Sequence, residues 1–154
     1  MKIVVVGKGG REHALARALT ESPSHPEVFV CPGSEGMLDV AFPVPDIPDV
    51  PSLISYMTTH EVDLCVAGEE AWLAKGLADA CAEAGIPCFG PSQEATQLES
   101  SKIYAKEFMV RHRIPTGGFE VVDSFKAGKE AVTSYPAVLK YNGLAAGKGV
   151  AVCP

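Results

Sequence analysis

The chain has no C-x-x-C pair, no H-x-x-x-H pair and no apolar run approaching the ~18 residues that cross a bilayer. The first two absences argue against a structural metal site and a dithiol redox motif. The third argues against a membrane helix. The cysteines at 31, 65, 81, 88 and 153 stand singly, mostly inside apolar patterns, as buried thiols of a reducing cytoplasm do. The histidines at 13, 25, 60 and 112 are scattered. Positive charge is also short: Lys and Arg number 13 against 19 Asp and Glu, a net charge of −6. That balance argues against a broad surface for nucleic acid or anionic lipid. The apolar run Ile3 to Val6 is too short for a signal peptide and leads directly into glycines. What remains is globular: 47% hydrophobic and 21% charged over 154 residues, enough for one ordinary domain or one and a half small ones.

The informative stretch is at the start. Lys2 to Val6 reads as a β-branched strand, apolar enough to be buried on both faces of a parallel sheet. Gly7, Gly9 and Gly10 then allow a tight turn whose N–H groups can approach a ligand. The following helix carries Ala14, Leu15, Ala18 and Leu19 on one expected core face. Strand, glycine turn and helix N-terminus together make an anion site. Arg11 opposes the helix dipole by roughly 0.3–1 kcal/mol, so a bound anion, or Glu12 beside it, would account for its presence. A turn that merely packs remains the alternative. A dinucleotide fingerprint would need a third glycine and an acid at the tip of the second strand. Glu12 follows Arg11, and the second strand, ending at Cys31, leads to Pro32-Gly33-Ser34. NAD is disfavoured, and a small phosphorylated ligand fits better.

Three more strand tips follow. Glu27 to Cys31 is the second strand, and its turn, Pro32 to Gly36, should face the first one. Ala41 to Pro51 carries prolines at 43, 45, 48 and 51 and reads as extended connection. Leu53, Ile54 and Met57 begin a helix ending near His60. Val62 to Ala67 is a third strand, with Gly68-Glu69-Glu70 at its carboxyl end. A helix from Ala71 to Ala84 closes on Gly85, a suitable C′ residue. Glu70 at that helix's start serves either the dipole or a ligand. Cys88-Phe89 is a fourth strand, and Ser92 an N-cap. This alternation describes a doubly wound α/β parallel sheet, Rossmann-like, over residues 1–100.

The rhythm then changes, placing a boundary near residues 99–102. A helix from Ser100 to Arg113 would turn Tyr104, Phe108 and Val110 toward a core. Phe119 to Val122 looks like a strand, Ser124 to Thr133 like a short helix, and Tyr135 to Lys140 like another strand. The last loop, Gly143-Leu144-Ala145-Ala146-Gly147-Lys148-Gly149, is one residue short of a Walker A loop and lacks its Ser/Thr hydroxyl. A glycine hairpin covering a triphosphate neutralised by lysines is one reading. A solvated lysine hairpin is the other.

Gly9-Gly10-Arg11-Glu12-His13-Ala14-Leu15, Pro32-Gly33, Gly68 with Glu70, Phe89-Gly90-Pro91, Leu98-Glu99-Ser100-Ser101-Lys102 and Gly143 through Val150 occur in the order and spacing of one family. The chain resembles phosphoribosylamine–glycine ligase, also called glycinamide ribonucleotide synthetase, along its whole length. The resemblance implies a pre-ATP-grasp domain over 1–100 and an incomplete α+β ATP-grasp domain over 101–154. The family joins glycine to 5-phosphoribosylamine in purine biosynthesis. It uses ATP to make a glycyl phosphate that the ribosylamine nitrogen attacks. By resemblance Gly9, Gly10, Arg11, Gly33 and Glu70 bind the ribosylamine substrate. Lys102, Lys140, Gly147, Lys148 and Gly149 bind ATP, no metal ligand is implied here, and the Mg²⁺ ligands are expected beyond residue 154. No catalytic residue is assigned. The expectation is a chain inactive alone, needing its continuation or a second chain to complete the cleft. The rival expectations are a non-catalytic phosphoribosyl-binding module and, less favoured, a nucleotide-sugar or NAD domain. Two departures stand out. Gly68-Glu69-Glu70-Ala71-Trp72 replaces the family's Gly-Pro-Glu-x-Pro, and Asn142 replaces an aspartate.

Overall fold

The computed structural model describes all 154 residues, which divide into compact units at Met1–Thr96 and Gln97–Pro154. In the first unit the chain runs β1 (Lys2–Gly7), α1 (Gly10–Thr20), β2 (Glu27–Pro32), a 3₁₀ turn (Glu35–Met37) and β3 (Phe42–Pro43). It continues with α2 (Val50–Thr59), β4 (Leu64–Ala67), α3 (Glu70–Ala74), α4 (Leu77–Glu83), β5 (Cys88–Phe89) and α5 (Gln93–Ser100), the last crossing into the second unit. The strands form one parallel sheet in the order β3-β2-β1-β4-β5.

Strand alternation builds the core on both sheet faces. Val4 and Val6 point to one side, where Leu53 and Met57 of α2 and Leu77 and Cys81 of α4 cover them. Ile3 and Val5 point to the other, against Ala16 of α1 and Met37 of the 3₁₀ turn. Burial of all four side chains explains why β1 is an unbroken apolar run, each residue stabilising the fold by about 1.5–3 kcal/mol.

Several expectations need correcting. The buried face of α1 is Glu12 and Ala16, flanked by half-buried Leu15 and Leu19, while Ala14 and Ala18 are exposed. Glu12 turns inward because its carboxylate accepts from the N-cap Gly9 N–H. The proline-rich segment after Ala41 is not wholly connection: Phe42 and Pro43 pair with Phe29 and Val30 as a fifth, edge strand, a position where proline's missing N–H is tolerated. Pro51 falls inside the first turn of α2, which Asp49 caps by accepting from the Ser52 N–H at 2.9 Å. The single helix expected over 71–84 is broken at Gly76, whose φ of +86° starts α4 afresh.

The second unit holds α6 (Lys102–Arg111), α7 (Phe125–Ala131) and the antiparallel hairpin β6 (Ala137–Lys140) and β7 (Val150–Cys153). Ser101 caps α6 through the Tyr104 N–H at 3.2 Å. The expected strand at Phe119–Val122 is absent, and Val110 is 60% exposed rather than directed to a core. Both corrections share a cause: no residue of this unit is fully buried, so apolar pattern has nothing to pack on.

Candidate functional site

The strand order reverses direction beside β1, since β2 and β3 lie to one side of it and β4 and β5 to the other. Ligand crevices in open parallel sheets form at the carboxyl ends of strands at such a switch. Here the tips of β1 and β4 adjoin, with Val6 in register with Ala67. The turn after β2 joins them, because the Gly33 N–H donates to the Gly7 carbonyl at 3.2 Å. Gly33 has φ +68°, and a Cβ there would lie 2.5 Å from Val30 Cγ2, so only glycine closes this turn comfortably.

Glu12 is the residue that sequence reasoning undervalued. It is 4% exposed and lies beneath the glycine turn, against Gly7, Gly9 and Gly68. Its Oε2 accepts from the Gly9 N–H at 2.8 Å, and its Oε1 pairs with Arg11 Nε at 2.8 Å. Gly7, Gly9 and Gly68 all border its side chain, and a Cβ on Gly7 would sit 2.5 Å from Glu12 Cγ. The glycines therefore make room for a buried carboxylate as well as for any ligand. A signal was available: an acid at the third helical position commonly reaches back to the N-cap N–H.

Arg11 also reaches Glu70, Nη2 to Oε2 at 3.1 Å. The cation in the first helical turn is thus held by two carboxylates, one buried and one at the start of α3. Its remaining N–H groups, and the backbone amides of Gly10 and Arg11 in the first helical turn, have no intrahelical acceptor and are left as donors. The Glu70 carboxyl is held below its ordinary 4.5, first by its own backbone N–H at the helix start and then by Arg11. A depressed carboxyl stabilises the fold above the unfolded value and loses that contribution as pH falls through the folded one. A carbon-detected titration of Glu70 should therefore show its midpoint below 4.5, and Arg11→Ala should move it upward while leaving part of the depression. A midpoint unmoved by Arg11→Ala would show that the pair does not persist in solution.

The departures at this edge are also placed. Glu69 precedes α3, its N–H donating to the Val6 carbonyl at 3.2 Å. Trp72 packs half-buried against the α2/α4 side of the core, with Lys75 Nζ 5.9 Å from its ring centroid. His13 Nε2 is buried without a hydrogen-bond partner, Asp39 Oδ1 being 3.8 Å away.

In the second unit Lys102 Nζ donates to the Gly143 carbonyl at 2.7 Å. Asn142 Oδ1 accepts from the Ile103 N–H at 3.2 Å and from Ser101 Oγ at 3.1 Å. Asn142 therefore ties the last loop to the N-terminus of α6. The loop closes through the Lys148 N–H to the Ala145 carbonyl, 2.8 Å, and the Tyr141 N–H to the Gly149 carbonyl, 2.8 Å. Gly147 supplies a φ of +75°. Lys140 and Lys148 are exposed on this hairpin, whereas Lys102 gives one of its three ammonium protons to the loop backbone.

A cluster outside this site was invisible to spacing rules. The sulfurs of Cys65, Cys81 and Cys88 lie within 4.8 Å of one another, because β4 and β5 pair Cys65 directly with Cys88 and α4 sets Cys81 over them. All five cysteines are free thiols, and no helix is long and apolar enough to cross a membrane.

A doubly wound α/β sheet with a glycine turn at its switch point, followed by a helix and a lysine-bearing glycine hairpin, defines the opening portion of an ATP-grasp protein. Residues 1–99 match the family described as phosphoribosylglycinamide synthetase, N domain, and residues 100–154 match phosphoribosylglycinamide synthetase, ATP-grasp (A) domain. The chain belongs to the phosphoribosylglycinamide synthetase family. It is 44% identical over 97% of its length to phosphoribosylamine–glycine ligase of Allochromatium vinosum, covering 36% of that protein. It is 42% identical over 99% of its length to the Escherichia coli ligase, covering 37% of it. The crystal structure of phosphoribosylamine–glycine ligase from Thermotoga maritima superposes with a TM-score of 0.81 at 30% identity, over 99% of this chain and 36% of that one. N5-carboxyaminoimidazole synthetase of Staphylococcus aureus, solved with ADP, shares the fold at 21% identity with a TM-score of 0.78, over 99% of this chain and 41% of that one. The chain thus spans little more than a third of the relatives it matches.

Proposed function

We propose that these residues supply the ribosyl-phosphate pocket and the first part of the ATP cleft of a phosphoribosylamine–glycine ligase. The support for this reading is the β1/β4 switch, where the first-turn residues Gly10 and Arg11 follow the N-cap Gly9, Arg11 reaches Glu70 and Gly33 bonds to Gly7. The amides and the free guanidinium N–H groups suit the phosphate of 5-phosphoribosylamine. Glu70, an acceptor, suits its hydroxyl or amine protons instead. Arg11 then connects the two halves of the ligand site, its charge shared between Glu70 and the incoming phosphate.

For the second unit, the family relation supports ATP as substrate, with Gly147, Lys148 and Gly149 over the phosphates and Lys102 and Lys140 neutralising them. In the reaction so implied, the glycine carboxylate takes the γ-phosphoryl group of ATP, releasing ADP. The ribosylamine nitrogen attacks the acyl carbon, phosphate leaves, and the amide forms. The side chains that converge in threes are the thiols of Cys65, Cys81 and Cys88, a soft donor set unsuited to Mg²⁺. Phosphoryl transfer rests on positioning and charge stabilisation, so these residues by themselves should not turn over.

Two experiments test the reading. Calorimetric titration with a stable ribose 5-phosphate analogue should show one site, weakened on the order of tenfold to a hundredfold by Arg11→Ala, as for loss of a charge-assisted contact of about 1.5–3 kcal/mol. Equal binding by wild type and variant would overturn the assigned pocket. Adding the carboxyl-terminal remainder of a family member in trans should restore ADP release dependent on glycine and ribosylamine. Restoration supports an incomplete ligase, and intact ligand binding without restoration supports the silent-module alternative.

A further inference from the structure

The three-thiol cluster has no part in that pocket. We propose that Cys65, Cys81 and Cys88 form a three-sulfur site for a single soft cation, Cu(I), reached through the cavity beside Cys88. The sulfurs already lie within 4.8 Å of one another, and no histidine or carboxylate belongs to the group. Metal–thiolate bonds of about 2.3 Å arranged in a plane would set the sulfurs about 4.0 Å apart, so side-chain adjustments below about 1 Å close the site. Such small shifts are feasible because the three positions come from different elements: two register-paired strands and the helix packed over them.

Ligand chemistry selects the ion. An all-sulfur set favours soft cations such as Cu(I) over hard, oxygen-seeking ones. Structural zinc requires a fourth ligand, and the one carboxylate lining the adjoining cavity, Asp79, is engaged by the Gln93 N–H at 2.7 Å. Cys65 and Cys81 are fully buried, whereas Cys88 is half-buried and lines that cavity of about 430 Å³ along with Gly85, Pro87 and Gly90. The cavity is the entry path that a buried site needs. On binding, three S–Cu bonds form and each ligating thiol releases its proton to solvent. No oxidant or reductant is involved.

The test is an anaerobic titration of the reduced chain with Cu(I) against a competing chelator, followed by X-ray absorption at the copper edge. One ion per chain with three sulfur neighbours is expected. Cys88→Ser should weaken binding on the order of a hundredfold or more, beyond the usual cost of losing an outer-shell partner, whereas Cys153→Ser, at a residue outside the cluster, should bind as wild type. Two sulfur neighbours in the wild-type chain, Cu(I) retained at full affinity by folded Cys88→Ser, or tighter four-coordinate binding of Zn²⁺ at these sulfurs would each overturn the assignment. The absorption measurement stands on the wild-type chain, so it decides the matter even should Cys88→Ser misfold.

Discussion

Gly68→Ala should cost about 2 kcal/mol of stability, within the usual range for overpacking, and combining it with Glu12→Ala should add far less than Glu12→Ala costs alone. A Cβ on Gly68 would press on Glu12 Cγ and lie 2.6 Å from Oε1. Glu12 cannot swing aside freely, because both its oxygens are held, by the Gly9 N–H and by Arg11. Glu12→Ala by itself should also cost about 2 kcal/mol, by leaving the Gly9 N–H without its acceptor and opening a void. In the double variant the added methyl occupies space the glutamate has vacated, so the coupling energy should be about 1–3 kcal/mol in favour of the pair.

Gly7 provides the contrast. Its Cβ would meet the same glutamate, 2.5 Å from Cγ, but its φ is +135°, so backbone strain persists whatever stands at position 12. Glu12→Ala should therefore rescue Gly68→Ala and leave Gly7→Ala impaired. Urea unfolding followed by the single tryptophan, Trp72, reads the first unit specifically. Strict additivity at Gly68 would show that Glu12 does not lie beneath the glycine turn in solution.

The second large effect concerns hydrogen exchange. The amides of β1 should exchange only through global opening, with protection on the order of 10⁴ or greater for a domain of ordinary stability. Those of β6 and β7 should exchange within about a hundredfold of an unstructured chain, since an isolated two-stranded hairpin is marginal in water. The physical basis is burial. Val4, Val5 and Val6 are fully inaccessible, whereas Val138, Leu139, Val150 and Val152 on the hairpin are all 47% exposed or more. Residues 111–126 are exposed without exception. Equal protection of the two units would mean that the hairpin has found a partner surface, most simply another copy of the chain. Supplying the remainder of the ATP-grasp domain should raise protection at β6 and β7 selectively.

The pattern of the first 100 residues was legible because each signal there is local and acts twice. The run Ile3 to Val6 is buried on both sheet faces, and Gly7 with Gly9 has a turn to make. Ser92, expected as an N-cap, accepts from the Ala95 N–H at 3.2 Å through its side-chain oxygen. Gly85 ends α4 with φ +72°, as its place after an apolar helix suggested. The misreadings arose where a neighbour distant in sequence decides. Gly76 reads as one weak residue within a helix, yet its left-handed conformation breaks that helix in two. Phe42 and Pro43 look like linker until Phe29 and Val30 offer an edge to pair with. Phe119 to Val122 has the composition of a strand and no partner to make it one.

Local sequence alone determined most of the strand–turn–helix order, the glycine turns, the Ser92 cap and the family, because propensities, φ requirements and motif spacing act over a few residues. The tertiary structure alone decided that Glu12 would lie beneath the glycine turn, that Arg11 would bridge Glu12 and Glu70, and that Cys65, Cys81 and Cys88 would meet. Those contacts depend on strand order and helix rotation. They are set by which apolar faces are buried together, and spacing along the chain carries no record of that.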